Sequence, residues 1–249
     1  MNKSILLFAV TSLLGAAAHA EDPPASPFTA NISLTSNYKY RGQDQGNNKP
    51  AIQGGFDFSK DGFYLGNWNS SIGFTNAGIE MDFYGGYKGE IIKDSLTYDV
   101  GILQYYYPQK DRVLNFNTTE LYGALTYSIA TLKYSYTAST DYFGIGEAAQ
   151  IAGSLSGKPR GRGTGYLDLS ANYEVVKSLT LNGHFGFTRY ASDLRNIAGV
   201  PNFYDYKFGA TYDLGSGLSI AGAVVGANKK DFYGDINKAR FIATLTKSM

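Results

Sequence analysis

Residues 28–41 read F-T-A-N-I-S-L-T-S-N-Y-K-Y-R, and apolar and polar side chains alternate along them. Apart from Ser36, every residue of one parity is apolar or aromatic, whereas every residue of the other parity is polar. A repeat of two residues is that of an extended strand and not of a helix. At roughly 3.3 Å per residue, a strand of this length crosses a hydrocarbon core of about 30 Å even when tilted. The stretch therefore predicts one long strand with an apolar and a polar face.

The N-terminus predicts the compartment. Lys3 precedes an apolar run over residues 5–18, which ends in the small-x-small cleavage sequence A-H-A at residues 18–20. We expect residues 1–20 to be a secretory signal peptide and the proline-rich residues 21–27 to be a periplasmic lead-in that cannot join a sheet. No later run of about 18 apolar residues occurs, so the sequence predicts no membrane-spanning helix.

Composition narrows the class further. The chain has 21 Tyr, 15 Phe and 30 Gly, yet its mean hydropathy is −0.22. A polar chain rich in aromatic residues and glycine is typical of a transmembrane β-barrel, where only one strand face is apolar and aromatic residues gather at the two interfaces. The full chain has 22 basic and 21 acidic residues, so removal of Lys3 leaves 21 of each. This balance argues against nucleic acid as a partner, and the absence of Cys excludes disulfides and thiolate metal sites.

The alternating pattern recurs along the chain and is separated by turn-rich connections. The predicted strands are residues 28–41, 52–58, 63–74, 79–91, 96–107, 118–129, 132–140, 165–175, 179–190, 203–213, 218–227 and 240–248. Their connections alternate between tight and long, with residues 75–78 the one short member of the long set. This pattern predicts an all-β fold: a transmembrane antiparallel up-and-down β-barrel of about 12 strands over residues 28–249.

Such a barrel belongs in the cell outer membrane, with tight turns and both termini in the periplasm and long loops outside. Lipid is then expected against Ile32, Leu34 and Tyr38, with Tyr38 and Tyr40 near the outer interface. The opposite parity of the first strand would face the lumen, namely Asn31, Thr35, Asn37 and Lys39.

The chain also resembles the TorF-type putative porins of Gram-negative bacteria, from about residue 31 to the C-terminus. The motifs that carry the resemblance are LTSNYKYRGQDQ at 34–45, KPAIQGGFDFS at 49–59, GFYLGNWNS at 62–70, NTTELY at 117–122, KYSYT at 133–137, DYFG at 141–144 and GYLDLSANYE at 165–174. The resemblance implies an outer-membrane barrel with porin activity, and the family offers no catalytic or selectivity residues to transfer. The chain ends in K-S-M at 247–249, whereas outer-membrane barrels usually end in an aromatic residue.

Strand parity identifies the candidate pore-lining residues. They are Lys39, Arg41, Glu80, Asp82, Lys88, Asp99, Glu120, Lys133, Asp168, His184 and Lys207. We expect passive diffusion of ions or small hydrophilic solutes through a lumen of this kind. The alternative is a structural or adhesive barrel with a plugged lumen, and residues 141–163 are the loop expected to fold inward. Inward acids outnumber bases, which predicts weak cation selectivity, whereas ion pairing across the lumen would leave selectivity near neutral.

Enzymatic and cofactor functions have weaker sequence support. A lipid-modifying enzyme would need its site on the lipid face, but His184, which is the only His after residue 20, has the polar parity. Glu80, Asp82 and Glu120 could hold a divalent cation, although acids on a solvated wall are more often unliganded. Residues 144–149, G-I-G-E-A-A, imitate a dinucleotide motif, but they follow a barrel-type strand and are expected to open no helix. No catalytic residue, metal or cofactor is therefore predicted.

The expected partners follow from the predicted location. They are outer-membrane lipid and lipopolysaccharide, the barrel assembly machinery and small hydrophilic solutes. Five basic residues of the long loops could contact phosphorylated lipid, although solvated loops are the simpler interpretation: Lys158, Arg160, Arg162, Lys229 and Lys230.

Overall fold

The structure is a computed structural model that describes residues 26–108 and 114–249. The predicted signal peptide and most of the lead-in lie outside the described residues, as do residues 109–113 of one long loop. Twelve strands form a closed antiparallel barrel: β1 (Phe28–Thr35), β4 (Ala51–Lys60), β5 (Phe63–Ser71), β6 (Ile79–Ile92), β7 (Leu96–Tyr106), β8 (Thr118–Tyr127), β9 (Ala130–Thr137), β10 (Gly165–Val176), β11 (Leu179–Arg189), β12 (Phe203–Gly215), β13 (Leu218–Ala227) and β14 (Arg240–Ser248). A separate two-stranded hairpin consists of β2 (Lys39–Tyr40) and β3 (Gln43–Asp44).

The barrel has up-and-down connectivity. Each barrel strand pairs with the next one along the chain, and β14 closes the sheet against β1, with Leu34 opposite Leu245. On its other edge β1 pairs with β4, where Thr35 lies opposite Ala51. Closure leaves no unpaired sheet edge, which is the physical requirement for a sheet that faces hydrocarbon. The predicted fold class is confirmed.

The outer surface of the barrel is apolar. Large hydrophobic side chains on the strands point outward at every second position, as in Phe56 on β4, which is 70% exposed, and Phe208 on β12, which is 68% exposed. The residues between them are buried polar or aromatic side chains, such as Gln53 on β4 and Asp205 on β12. An apolar exterior around a polar interior reverses the arrangement of a soluble β-sandwich.

The two ends of the barrel differ. Tight turns join strands at one end, as at Asp61–Gly62, where both residues have positive φ (51° and 85°) and form the type I′ turn that matches strand twist. The other end carries the long loops, which contain α1 (Ile145–Gly153), α2 (Ser192–Asn196), α3 (Lys230–Tyr233) and a 3₁₀ turn (Gly234–Asn237). The predicted separation of short turns from long loops is therefore present.

The predicted strand over residues 28–41 is wrong in its second half. Strand β1 ends at Thr35, and the chain then turns into the barrel as the β2–β3 hairpin. Tyr38 is only 3% exposed, and its hydroxyl donates to a wall carboxylate, so it lies inside the barrel and not against lipid. The structure places Lys39 and Arg41 on this hairpin and not on a wall strand. Apolar and polar residues do alternate here, but the hydrogen bonds of Tyr38, Lys39 and Arg41 inside the barrel outweigh this local pattern.

The expectation that residues 144–149 open no helix is also wrong. Helix α1 begins at Ile145, directly after Gly144. The carboxylate of Asp141 accepts hydrogen bonds from the backbone N–H groups of Tyr142, Gly146 and Glu147. A carboxylate that precedes the glycine motif in the chain therefore satisfies the first backbone N–H groups of this helix.

Among the described residues, no helix is both long enough and apolar enough to cross a membrane.

Candidate functional site

The β2–β3 hairpin is the main feature of the barrel interior. Lys39 pairs with Asp44 and Tyr40 with Gln43, which leaves Arg41 and Gly42 as a two-residue turn with φ of 46° and 74°. Two positive φ values define the type I′ geometry that closes tight hairpins. A Cβ on Gly42 would lie 2.5 Å from the carbonyl oxygen of Gly226. The hairpin tip therefore contacts the β13 wall so closely that only glycine fits.

Arg41 extends from the hairpin tip to the far wall. Its Nη2 donates to Glu120 Oε2 on β8 at 2.8 Å, and its Nη1 donates to Tyr142 Oη at 2.8 Å. The guanidinium also lies over the ring of Tyr166 on β10, 4.0 Å from the ring centre. Burial raises the pKa of Tyr142 to about 12, so this hydroxyl stays protonated. Arg41 thus joins two wall strands and a long loop through one buried cation.

A second set of contacts joins the hairpin to the loop before β14. Lys39 Nζ donates to three backbone carbonyl oxygens, those of Gly42 at 2.9 Å, Ile236 at 2.9 Å and Lys238 at 2.8 Å. Gln43 Nε2 donates to Asn237 Oδ1 at 2.8 Å. Three acceptors satisfy all three N–H groups of an ammonium. The hairpin is therefore held at both its tip and its base.

Aromatic side chains fill the part of the interior near β4 to β8. Tyr38 Oη donates to Glu80 Oε1 at 2.6 Å, and Tyr107 Oη donates to Glu80 Oε2. The Tyr38 ring packs edge-on against Trp68, with ring centres 5.5 Å apart. Buried tyrosines thus supply the hydrogen bonds that the Glu80 carboxylate loses on leaving water.

His184 lies inside the barrel between two carboxylates. Its Nε2 is 2.7 Å from Asp205 Oδ1, and its Nδ1 is 2.8 Å from Asp168 Oδ2, the latter an ion-pair contact without hydrogen-bond alignment. Tyr166 Oη also donates to Asp205 Oδ1, at 3.1 Å. The ring therefore lies between a carboxylate on β12 and a carboxylate on β10. The arrangement is an internal charge network in which the inward His faces no lipid.

The remaining predicted site residues lie around the same interior. Lys133 Nζ is 4.1 Å from the ring centre of Tyr122, and Lys88 Nζ is 5.8 Å from that of Tyr64. Asp99 accepts a hydrogen bond from Tyr64 at 2.5 Å. Lys207 on β12 pairs across the sheet with His184. Among the predicted site residues, Arg41 pairs with Glu120 and His184 with Asp168, as in the ion-pairing alternative raised by the sequence.

An internal cavity of about 240 Å³ remains beneath the hairpin. Its charged lining comprises Lys39, Arg41, Asp82, Lys133, Asp168, His184, Asp205 and Lys207, and small residues of β13 and β14 form the opposite wall. A cavity of this size holds several water molecules. The lumen is therefore narrowed but not filled throughout.

Sequence reasoning missed the hairpin and the residues that hold it. The available signal was Arg41-Gly42 between two short alternating segments, since a glycine there permits a type I′ turn. Residues 141–163, the loop expected to fold inward, contribute Tyr142 and Phe143 to the packing around Arg41 and Tyr105. The described part of the chain contains no group of three or more His, Asp or Glu side chains suited to a metal ion, and this includes Glu80, Asp82 and Glu120.

The barrel is similar to solved porins. The NanC porin superposes with a TM-score of 0.56 at 11% sequence identity, covering 87% of this chain and 97% of the porin. The KdgM porin, solved in complex with disordered oligogalacturonate, superposes with a TM-score of 0.53 at 9% identity, covering 89% of this chain and 98% of the porin. No curated protein is significantly similar to the chain in sequence. The fold is therefore that of a 12-stranded porin-type β-barrel.

A family model matches nearly the whole chain. It covers residues 19–249 and describes bacterial proteins of unknown function, Gcw_chp. The chain belongs to the Gcw_chp family.

Proposed function

We propose that the protein is an outer-membrane channel through which ions or small hydrophilic solutes diffuse passively. The observation that carries the proposal is the closed 12-stranded barrel with an apolar exterior and a charged, cavity-containing interior. The shared fold with the NanC and KdgM porins supports it. No chemical step is proposed, since His184 forms part of an interior charge network and faces no lipid.

The proposed orientation follows from the two ends of the barrel. Tight turns and both chain termini would face the periplasm, and the long loops would face the outside, where they contact lipopolysaccharide. Export through the predicted signal peptide at residues 1–20 and insertion by the barrel assembly machinery are part of the same proposal. The TorF-type resemblance of the sequence supports this assignment within the Gcw_chp family.

In the proposed mechanism the β2–β3 hairpin is the constriction. The interior residues Asp82, Lys133, Asp168, His184 and Lys207 border the cavity and would contact a passing solute. Solute movement past the hairpin requires that the contacts of Arg41 and Lys39 loosen, because the tip touches the opposite wall. The hairpin contacts thus set the barrier to passage.

The filled region around Arg41 favours a second candidate, a structural barrel with a closed lumen. The two candidates differ in one measurement: ion conductance of the refolded mature chain in a planar bilayer. The sharpest variant replaces residues 37–45 with a short Gly-Ser turn. Because Thr35 pairs directly with Ala51, a short linker can join β1 to β4.

We expect small, fluctuating conductance from the natural chain and larger, steadier conductance from the variant. If the natural chain does not conduct ions but the variant does, the protein is a plugged barrel. If neither protein conducts ions, although circular dichroism and heat-dependent gel mobility show that both are folded, the channel proposal is rejected.

A further inference from the structure

Asp82 is a buried acid whose hydrogen-bonding capacity is not met by the chain. It lies on β6, is 4% exposed and borders the interior cavity. Its Oδ1 has no hydrogen-bond partner among the described residues. An unpaired carboxylate oxygen away from water is costly, and such groups in native proteins commonly have a functional reason.

The neighbouring acids differ from Asp82 in this respect. Glu80 accepts hydrogen bonds from the hydroxyls of Tyr38 and Tyr107, and Glu120 accepts one from Arg41 at 2.8 Å. The described residues therefore supply donors to Glu80 and Glu120 but none to Asp82 Oδ1. Asp205 Oδ2 on β12 also lacks a partner among the described residues, but the other oxygen of that carboxylate accepts a hydrogen bond from Tyr166.

The surroundings of Asp82 suit an organic cation. Its cross-strand neighbours at the same level of the sheet are Trp68 on β5 and Tyr105 on β7, which are 5% and 4% exposed. Tyr38 and Tyr40 of the hairpin border the same cavity. Aromatic rings attract cations through their electron-rich faces, with Trp the strongest, and a carboxylate accepts N–H donors in short, charge-assisted bonds.

We propose that Asp82, Trp68 and Tyr105 form a binding site for a protonated amine inside the lumen. The ammonium group donates to Asp82 Oδ1 while its carbon chain lies along the aromatic rings. A metal ion fits less well, because Ca²⁺ or Mg²⁺ would require several oxygen ligands and only one carboxylate is unengaged here. The inference rests on the proposed channel function insofar as it names a class of solute, but binding can be measured without conduction.

Trp68 provides the fluorescence signal for a binding measurement, because it is the only Trp of the chain. Propylammonium chloride is titrated into the full mature protein, folded in detergent micelles, and Trp fluorescence is recorded. Propionate is the anionic control, and tetramethylammonium is a cation with no N–H group. We expect a saturable change with propylammonium, none with propionate, and binding at least about fivefold weaker with tetramethylammonium, since one charge-assisted hydrogen bond is lost.

The matched variants are Asp82→Asn and Asp57→Asn. Asp57 is a partly buried acid on β4 whose carboxylate already accepts a hydrogen bond from Tyr84 at 2.6 Å. We expect Asp82→Asn to weaken propylammonium binding at least about tenfold and Asp57→Asn to leave it unchanged. The absence of a saturable signal in the natural chain, or equal binding by folded Asp82→Asn, would overturn the site.

Conductance of the same preparations separates this inference from the channel proposal. A conducting barrel that binds no propylammonium rejects the amine site alone. A barrel that binds propylammonium through Asp82 but does not conduct, even without its hairpin, supports the site and rejects the channel.

Discussion

Arg41 Nη2 lies 2.8 Å from Glu120 Oε2, and this single contact connects the hairpin after β1 with β8 on nearly the opposite side of the barrel. Both side chains are buried, with exposures of 6% and 1%. The pair therefore acts as a cross-brace through the lumen, and its removal tests whether the hairpin controls passage.

Replacement of Arg41 by Gln should open the lumen. The change leaves Glu120 buried without its counter-charge, which typically costs about 3–5 kcal/mol. We expect lower stability in a urea titration and a larger single-channel conductance, because the hairpin loses its hold on β8. Arg162→Gln, at an exposed loop arginine, is the control and should change neither quantity. Unchanged conductance from a folded Arg41→Gln barrel would show that this pair does not set the constriction.

Gly42→Ala should release the hairpin by crowding alone. The added Cβ would meet the Gly226 carbonyl oxygen at 2.5 Å and Asp205 Cβ at 2.7 Å. Overpacking of this kind costs about 1–3 kcal/mol. The released hairpin should be cut by trypsin after Lys39 or Arg41, since cleavage follows the population of the open form.

Gly78→Ala is the matched control for Gly42→Ala. Its φ of +70° is close to the +74° of Gly42, but no atom lies within 4 Å of the position that its added methyl group would take. Both variants carry the same backbone strain, so only the Gly42 variant adds a clash. Equal trypsin sensitivity of the two variants would mean that the hairpin tip is not in contact with the wall.

His184→Gln should increase cation selectivity. The imidazole lies within 2.8 Å of carboxylate oxygens of Asp168 and Asp205, so a neutral amide leaves two acids without a cationic partner. Interior charges set ion preference in narrow pores. The reversal potential under a KCl gradient should shift in the cation direction, whereas Lys229→Gln, in an exposed loop, should leave it unchanged. A shift in the anion direction would contradict this charge assignment.

Gly101→Ala should destabilise the barrel wall. A Cβ there would clash with Tyr122 Oη and lie 2.6 Å from the Gly85 carbonyl oxygen. We expect a loss of about 1–3 kcal/mol in urea unfolding from lipid vesicles. Gly183→Ala is the control on another strand, because nothing lies within 4 Å of its added methyl group. Equal stability of the two variants would contradict the packing of Tyr122 against β7.

Val100→Arg tests the lipid-facing surface. Val100 on β7 is 50% exposed and points outward, and arginine on the lipid face of a barrel costs about 2–4 kcal/mol near the middle of the bilayer. Ile151→Arg, at a 57% exposed position of α1 in a long loop, should have little effect. Similar losses from both changes in vesicle-folding measurements would argue against a membrane around the strands.

The barrel could be predicted from sequence because its information is local. Each strand carries its own period of two, and each tight turn carries its own residues with positive φ, as at Asp61–Gly62. All twelve predicted strands occur in the structure, and β13 and β14 occur with the predicted bounds. The existence and the order of the strands could therefore be predicted from short stretches of sequence, each considered separately.

The interior could not be predicted in the same way. Tyr38 has the parity of Ile32 and Leu34, and only the fold brings the carboxylate of Glu80 within 2.6 Å of its hydroxyl. Ser36 marks the point where β1 ends, yet a single polar residue in an alternating stretch is a weak signal. The contacts that decide the course of residues 36–50 are distant in sequence. The local pattern therefore predicted a strand in the barrel wall, whereas the chain turns into the interior.

The hairpin also has a consequence for the order of assembly. It comes second in the chain, but its partners come much later: Glu120 follows Arg41 by 79 residues, and Lys238 follows Lys39 by 199 residues. The hairpin can reach its resting place only once β8 and the segment before β14 are in position. A segment that is synthesised early thus completes its native contacts only after most of the chain has been made.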